Sequence, residues 1–177
     1  MDYKNVIDFW FSELEPKQRW VKDQALDQMI NDRFSDIYEK ASQCELYEWR
    51  TEPLGRLAEV IVLDQFSRNM FRDRPESFKF DSLALCLSQE AIATGADQSL
   101  NQSEKAFLYM PFMHSESKKI HEEAMSLFKD IPKNLEFEIK HKKIIDRFGR
   151  YPHRNKTLGR RSTPEEIEFL KEPGSSF

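Results

Sequence analysis

Arginine, histidine and amide side chains crowd one stretch of this 177-residue sequence, Arg147-Phe-Gly-Arg150-Tyr-Pro-His153-Arg154-Asn155-Lys-Thr-Leu-Gly159-Arg160-Arg161. Residues 140–161 hold nine Lys/Arg and one acid, Asp146, a local charge of +8, while the whole chain is −4, leaving −12 for the remainder. A basic island on an acidic chain suits capture of an anion, because the field of the rest cannot supply the attraction. Arginine outnumbers lysine from 147 on, which favours planar, bidentate capture of carboxylate or phosphate. Gly149, Pro152 and Gly159 mark a shaped loop rather than a continuous helix. The competing reading is that these arginines pair with carboxylates elsewhere and hold the fold.

A second constellation is Leu63-Asp64-Gln65-Phe66-Ser67-Arg68-Asn69-Met70-Phe71-Arg72. Asp64 follows Ile61 by three residues and Leu57 by seven, so it falls on the apolar face of its helix, and Arg68 follows one turn later on the same side. A charge on a buried face is costly unless paired. Asp64 therefore either aims Arg68 at a ligand or forms a structural ion pair with it. A third is Phe107-Leu-Tyr109-Met110-Pro111-Phe112-Met113-His114-Ser115-Glu116. Pro111 is expected to break a helix over 102–110, placing His114, Ser115 and Glu116 at the start of the next helix. Ser115 would cap that helix, and His114 could carry a proton or donate to a substrate, against ordinary capping as the alternative. His141 shares a stripe with Phe137, Ile144 and Phe148, either as a ligand or as a satisfied core histidine. His121, beside Glu122 and Glu123, reads as solvated.

The elements that must position these groups read as helices throughout. Leu26, Ile30, Phe34, Ile37 and Ala41 recur at helical steps within 23–43. Further helices are expected over 2–12, 54–70, 82–94 (Asp81 as cap, Gly95 as stop), 115–129 and 135–148. A last one starts at Thr163-Pro164-Glu165-Glu166, a capping box with proline in first position. No alternating strand is found. The expected fold is all-α, seven to eight helices in one domain over 1–177 with a frayed tail over 172–177. The two cysteines, Cys44 and Cys86, read as reduced and structural. No apolar run could cross a bilayer and no apolar signal core opens the chain, which together point to a cytoplasmic protein with no membrane partner. The acidic balance argues against nucleic acid as a partner. No HxxxH, CxxC, GxGxxG or phosphate-binding GxxxxGK[ST] spacing occurs, so neither metal nor cofactor is called for, and no serine sits on a nucleophile elbow. Trp10, Trp20 and Trp49 read as core or cleft-wall residues. The oligomeric state is open.

The same three segments resemble the bacterial family known as domain of unknown function 924, along nearly the whole chain from Val-Ile-Asp-Phe-Trp10-Phe to the closing Glu-Pro-Gly-Ser-Ser-Phe. One departure is Ser67, where the family pattern often has proline. The resemblance implies an α-α superhelical, tetratricopeptide-repeat-like fold and no activity, and a fold by itself does not decide function.

From the residues themselves, the favoured expectation is binding of a small anionic molecule, or of a carboxylate- or phosphate-bearing peptide, with Asp64, Arg68, Asn69, His114, Glu116, Arg147, Arg150, His153, Arg154, Asn155 and His141 as candidate site residues. Arg150 and Arg154 would hold the anion while Asp64 and Glu116 orient arginines. The alternatives are a hydrolase or group-transfer enzyme using His114 or His153 as acid/base with Asp64 or Glu116 as partner, and a protein-interaction scaffold presenting a groove.

Overall fold

Helix dominates the computed structural model, which describes residues 2–176, and no strand occurs among the described residues. The α-helical segments are α1 (Tyr3–Asp8), α2 (Gln24–Ser42), α3 (Pro53–Ile61), α4 (Ser67–Met70), α5 (Asp81–Ala93), α6 (Gln102–His114), α7 (Lys118–Leu127), α8 (Pro132–Phe148) and α9 (Pro164–Phe169). A wide π-type turn at Val62–Phe66 joins α3 to α4 into one rod, so the described residues hold eight helices. A second such turn, Phe9–Glu13, extends α1. The chain divides into two compact units, residues 1–72 with 76–111, and residues 73–75 with 112–177.

In the first unit α1 packs on α3, α3 on α5, and α2 on α4 and the π turn. The stripe anticipated on α2 is the buried one: Leu26, Ile30, Phe34, Ile37 and Ala41 all lie inside. Asp23 caps this helix by accepting from the Ala25 and Leu26 amides. Phe9, Trp10, Phe34 and Phe66 interlock, with ring centroids 4.8–5.9 Å apart, spacings at which tilted and edge-on aromatic contacts are favourable. Gly55 is obligatory for close approach, since a Cβ there would run into the Trp49 carbonyl.

In the second unit α7 packs on α8, and Ile144, Ile145 and Tyr151 form a core edged by Phe148 and Phe169. Gly149, at φ +69°, ends α8 in the left-handed conformation that lets the chain turn into the basic loop. The capping box on α9 forms as anticipated: the Thr163 hydroxyl accepts from the Glu166 amide at 3.2 Å, and the Glu166 carboxylate accepts from the Thr163 amide at 2.7 Å.

Several local expectations are corrected. Pro111 does not stop α6, which runs on to His114. The residues on both sides of it, Phe107, Leu108, Met110, Phe112 and Met113, are buried, and that packing outweighs the one backbone hydrogen bond proline removes. Helix α7 begins at Lys118 with Ser117, not Ser115, at its cap position. Asp81 is the first residue of α5 rather than its cap. The inward face of α8 is Glu138, His141, Ile144 and Ile145, while Phe137 is exposed. His121 is fully buried rather than solvated. Cys44 and Cys86 are free and exposed, not structural. Trp10 is buried, whereas Trp20 is largely exposed and stacks on Phe107. The tail is tied back as far as Ser175, buried with its hydroxyl donating to the Leu170 carbonyl; Phe177 lies outside the described residues. No helix of the described residues is long and apolar enough to cross a membrane.

Candidate functional site

The sequence-named residues fall into two groups. Asp64, Arg68 and Asn69 stand in the first unit. The π turn carries Asp64 inward, where it is wholly buried, and wide turns of this kind recur at functional positions. Arg68 reaches the Asp64 carboxylate at 3.2 Å and donates to the Asp64 carbonyl at 2.5 Å. Its two terminal nitrogens also grip Asp81 at 3.0 and 2.9 Å. Gln65 donates to Asp64 at 2.5 Å. Asn69 and Arg72 both donate to Asp27 of α2, at 2.8 Å and 2.6 Å. Here cations meet carboxylates in bidentate geometry, the arrangement that binds an arginine most firmly. Tyr109 belongs to this unit as well; its hydroxyl donates to Asp97 at 2.8 Å, and burial, reinforced by Asp97, pushes its pKa up.

The second unit collects His114, Glu116, His141, Arg147, Arg150, His153, Arg154 and Asn155. Much of the basic loop is built on carboxylates. Arg150 grips Glu166 at 2.6 and 2.8 Å and donates to the Arg161 carbonyl. The Arg150 hydrogen bonds hold Glu166 down at about 2, so the acid that caps α9 also anchors the loop. Burial pushes Glu116 up, but the two hydrogen bonds of Arg160, at 2.6 and 2.9 Å, with the Tyr151 amide at 2.8 Å, outweigh it and keep this carboxyl below its ordinary value. Glu116 thus orients Arg160 and the backbone at Tyr151. Asn155 is a buried hub: its amide donates to Ser162 and Glu166 and its oxygen accepts from Arg160. Arg147 pairs with Glu165 at the surface.

Around Tyr151 the chemistry changes. Its ring is fully buried, and Arg154 lies over the face with the guanidinium carbon 4.6 Å from the centroid, close enough for a cation–π attraction strengthened by burial. His141 meets the ring edge-on at 5.7 Å, and His153 lies tilted against it at 5.5 Å. Burial drives the pKa of His141 down to about 3; its Nδ1–H donates to the Phe137 carbonyl at 2.8 Å. Burial and then the Arg154 charge bring His153 to about 4. His114 is near enough to both to lower them further. Both imidazoles are therefore neutral near neutral pH; the single N–H of His141 is spent on Phe137, so its other nitrogen is an acceptor, while His153 keeps one N–H donor and one acceptor nitrogen beside a buried cation. His114 and His153 are only half-buried.

Sequence reasoning missed His121 and Glu138, both fully buried and 2.6 Å apart. One signal was available: His121 precedes Ala124 by three residues and Phe128 by seven, the spacing of an inward face. Among the described residues no three His, Cys, Asp or Glu side chains gather as a metal set.

The family model described as bacterial protein of unknown function (DUF924) matches residues 6–174. The solved structure of a protein of unknown function, ATU0120 from Agrobacterium tumefaciens, is similar over 96% of each chain, with 36% identity and a TM-score of 0.92. None of the curated proteins compared with this chain matches it.

Proposed function

The chain belongs to the DUF924 family, which names no activity, and from the geometry alone we propose that it binds a small molecule bearing a carboxylate or phosphate, at the Tyr151 cluster of the second unit. One observation carries this reading: a buried guanidinium, Arg154, rests on the Tyr151 face, and two imidazoles against the same ring, His141 and His153, are kept neutral within reach of its charge. A desolvated cation attracts an anion far more strongly than one in water. A neutral His153 supplies a donor, and neither imidazole adds a cation that would repel Arg154 when the site is empty. The surrounding frame is stiff, because Arg150, Arg160 and Asn155 are held by Glu166 and Glu116, and a pre-built frame lowers the ordering cost of binding.

The same arrangement makes a second statement. An anion placed beside His153 raises its pKa, so binding takes up protons and affinity rises as pH falls from about 7 toward 5. Calorimetric titration of the full chain with inorganic phosphate, repeated in buffers of different ionisation enthalpy, tests both points. Arg154→Ala should abolish binding, and Arg147→Ala, at the exposed Glu165 pair, should leave it unchanged. Equal affinity in wild type and Arg154→Ala would refute the reading.

A further inference from the structure

His121 and Glu138 face each other from α7 and α8 at the centre of the second unit, neither exposed to solvent. His121 Nδ1 lies 2.6 Å from Glu138 Oε1, and Nε2 lies 2.8 Å from the Ser115 carbonyl and 3.2 Å from the Tyr151 hydroxyl oxygen. The hydroxyl's own hydrogen is committed to the Met113 carbonyl at 2.6 Å. A carbonyl oxygen only accepts, and a hydroxyl that has donated its one proton has only lone pairs left to offer. Nε2 must therefore carry a hydrogen.

That leaves one proton for the bond between Nδ1 and Oε1. Two assignments satisfy it: an imidazolium with a carboxylate, or a neutral imidazole with a carboxylic acid. The other oxygen of Glu138 separates them. Oε2 is buried and makes no hydrogen bond. A carboxylate would leave half of a buried charge without a donor, whereas an acid leaves only a neutral carbonyl oxygen, a much smaller desolvation cost. Burial is the largest influence on Glu138 and favours the protonated form; His121 and Lys142 oppose it, Asp146 adds to it, and the net direction is upward.

We infer that Glu138 is held as a carboxylic acid that donates to His121 Nδ1, and that this neutral pair positions Tyr151. The acid fixes His121 in its Nε2–H tautomer. That hydrogen is shared between the Ser115 carbonyl at 2.8 Å and the Tyr151 oxygen at 3.2 Å, so the Tyr151 hydroxyl hydrogen goes to Met113 and the ring on which Arg154 lies is set. The protonation assignment stands on the hydrogen-bond geometry, while its functional consequence rests on the anion reading above.

The test uses the full chain with two readouts. Side-chain ¹⁵N NMR at about pH 7 should show His121 neutral, with Nε2 protonated and Nδ1 an acceptor. Glu138→Gln, whose amide N–H replaces the acid O–H, should fold, keep that tautomer and bind inorganic phosphate within about twofold of wild type, whereas Glu138→Ala should lose about tenfold. If Glu138→Ala does not fold, Glu138→Asp, too short to reach Nδ1, takes its place. A doubly protonated His121, or a Glu138→Gln chain as impaired as Glu138→Ala, overturns the inference. A wild type that takes no phosphate overturns the anion reading and the positioning role, leaving the protonation assignment to the spectrum.

Discussion

Two regions of this protein solve the problem of inward-facing ionisable groups in different ways. Around Arg68 charge is balanced by charge: Asp64, buried in its π turn, and Asp81 together embrace one guanidinium. Around Tyr151 two of the ionisable groups are neutralised: His141 and His153 are driven neutral by burial, while Arg154 stays charged over an aromatic face, within the field of Glu116. The first arrangement fixes geometry, since removing either partner strands a buried charge. The second leaves groups whose protonation responds to what arrives beside them, which is the property a binding site for an anion needs.

The contrast is broken most forcefully at Arg68. Arg68→Ala leaves Asp64 and Asp81 without their shared cation and should destabilise the chain by about 3–5 kcal/mol in guanidinium denaturation. A loss under about 1 kcal/mol would place Arg68 with the surface pairs instead. Tyr151→Phe should cost about 1–3 kcal/mol, because the buried Met113 carbonyl loses its donor. Thr163→Ala, which opens the α9 capping box, should cost about 1 kcal/mol. Arg147→Ala removes a pair exposed on both sides and should change stability by no more than about 0.5 kcal/mol.

Acid sharpens the comparison. His141 and His153 titrate lower in the folded chain than in the unfolded one, so below about pH 6.5 the unfolded state binds more protons. Their contribution is complete above that pH and is lost as pH falls through about 4 for His153 and about 3 for His141. Glu166, held at about 2 by Arg150, adds a further loss below its unfolded value near 4.5. Denaturation midpoints should therefore fall steadily from about pH 6.5 downward, and His153→Gln should flatten the upper part of that slope. A profile flat between about pH 6.5 and 4 would contradict the neutral-histidine description.

How much of this was legible in the sequence depended on whether the signal was local. The α2 stripe and the Thr163 capping box are written in neighbouring residues, and both formed as read. The membership of the carboxylate pairs was not readable, because Arg72 finds Asp27 and Arg160 finds Glu116 across more than forty residues of chain. Pro111 misled because a local rule about helix breaking met a segment whose burial outweighs one hydrogen bond. His121 misled because Glu122 and Glu123 advertise a solvated face, while Ala124 and Phe128 set the buried one. The candidate site lies between these cases: of the two arginines expected to hold an anion, Arg150 is gripped by Glu166, a partner no local pattern revealed, while Arg154 lies over the Tyr151 ring.

The most direct test of the anion site is a crystal structure of the full chain grown with inorganic phosphate. The account predicts an ordered phosphate in contact with the Arg154 guanidinium and within hydrogen-bond reach of His153. Phosphate held only by exposed lysines, or none beside Arg154 at saturating concentration, would contradict it.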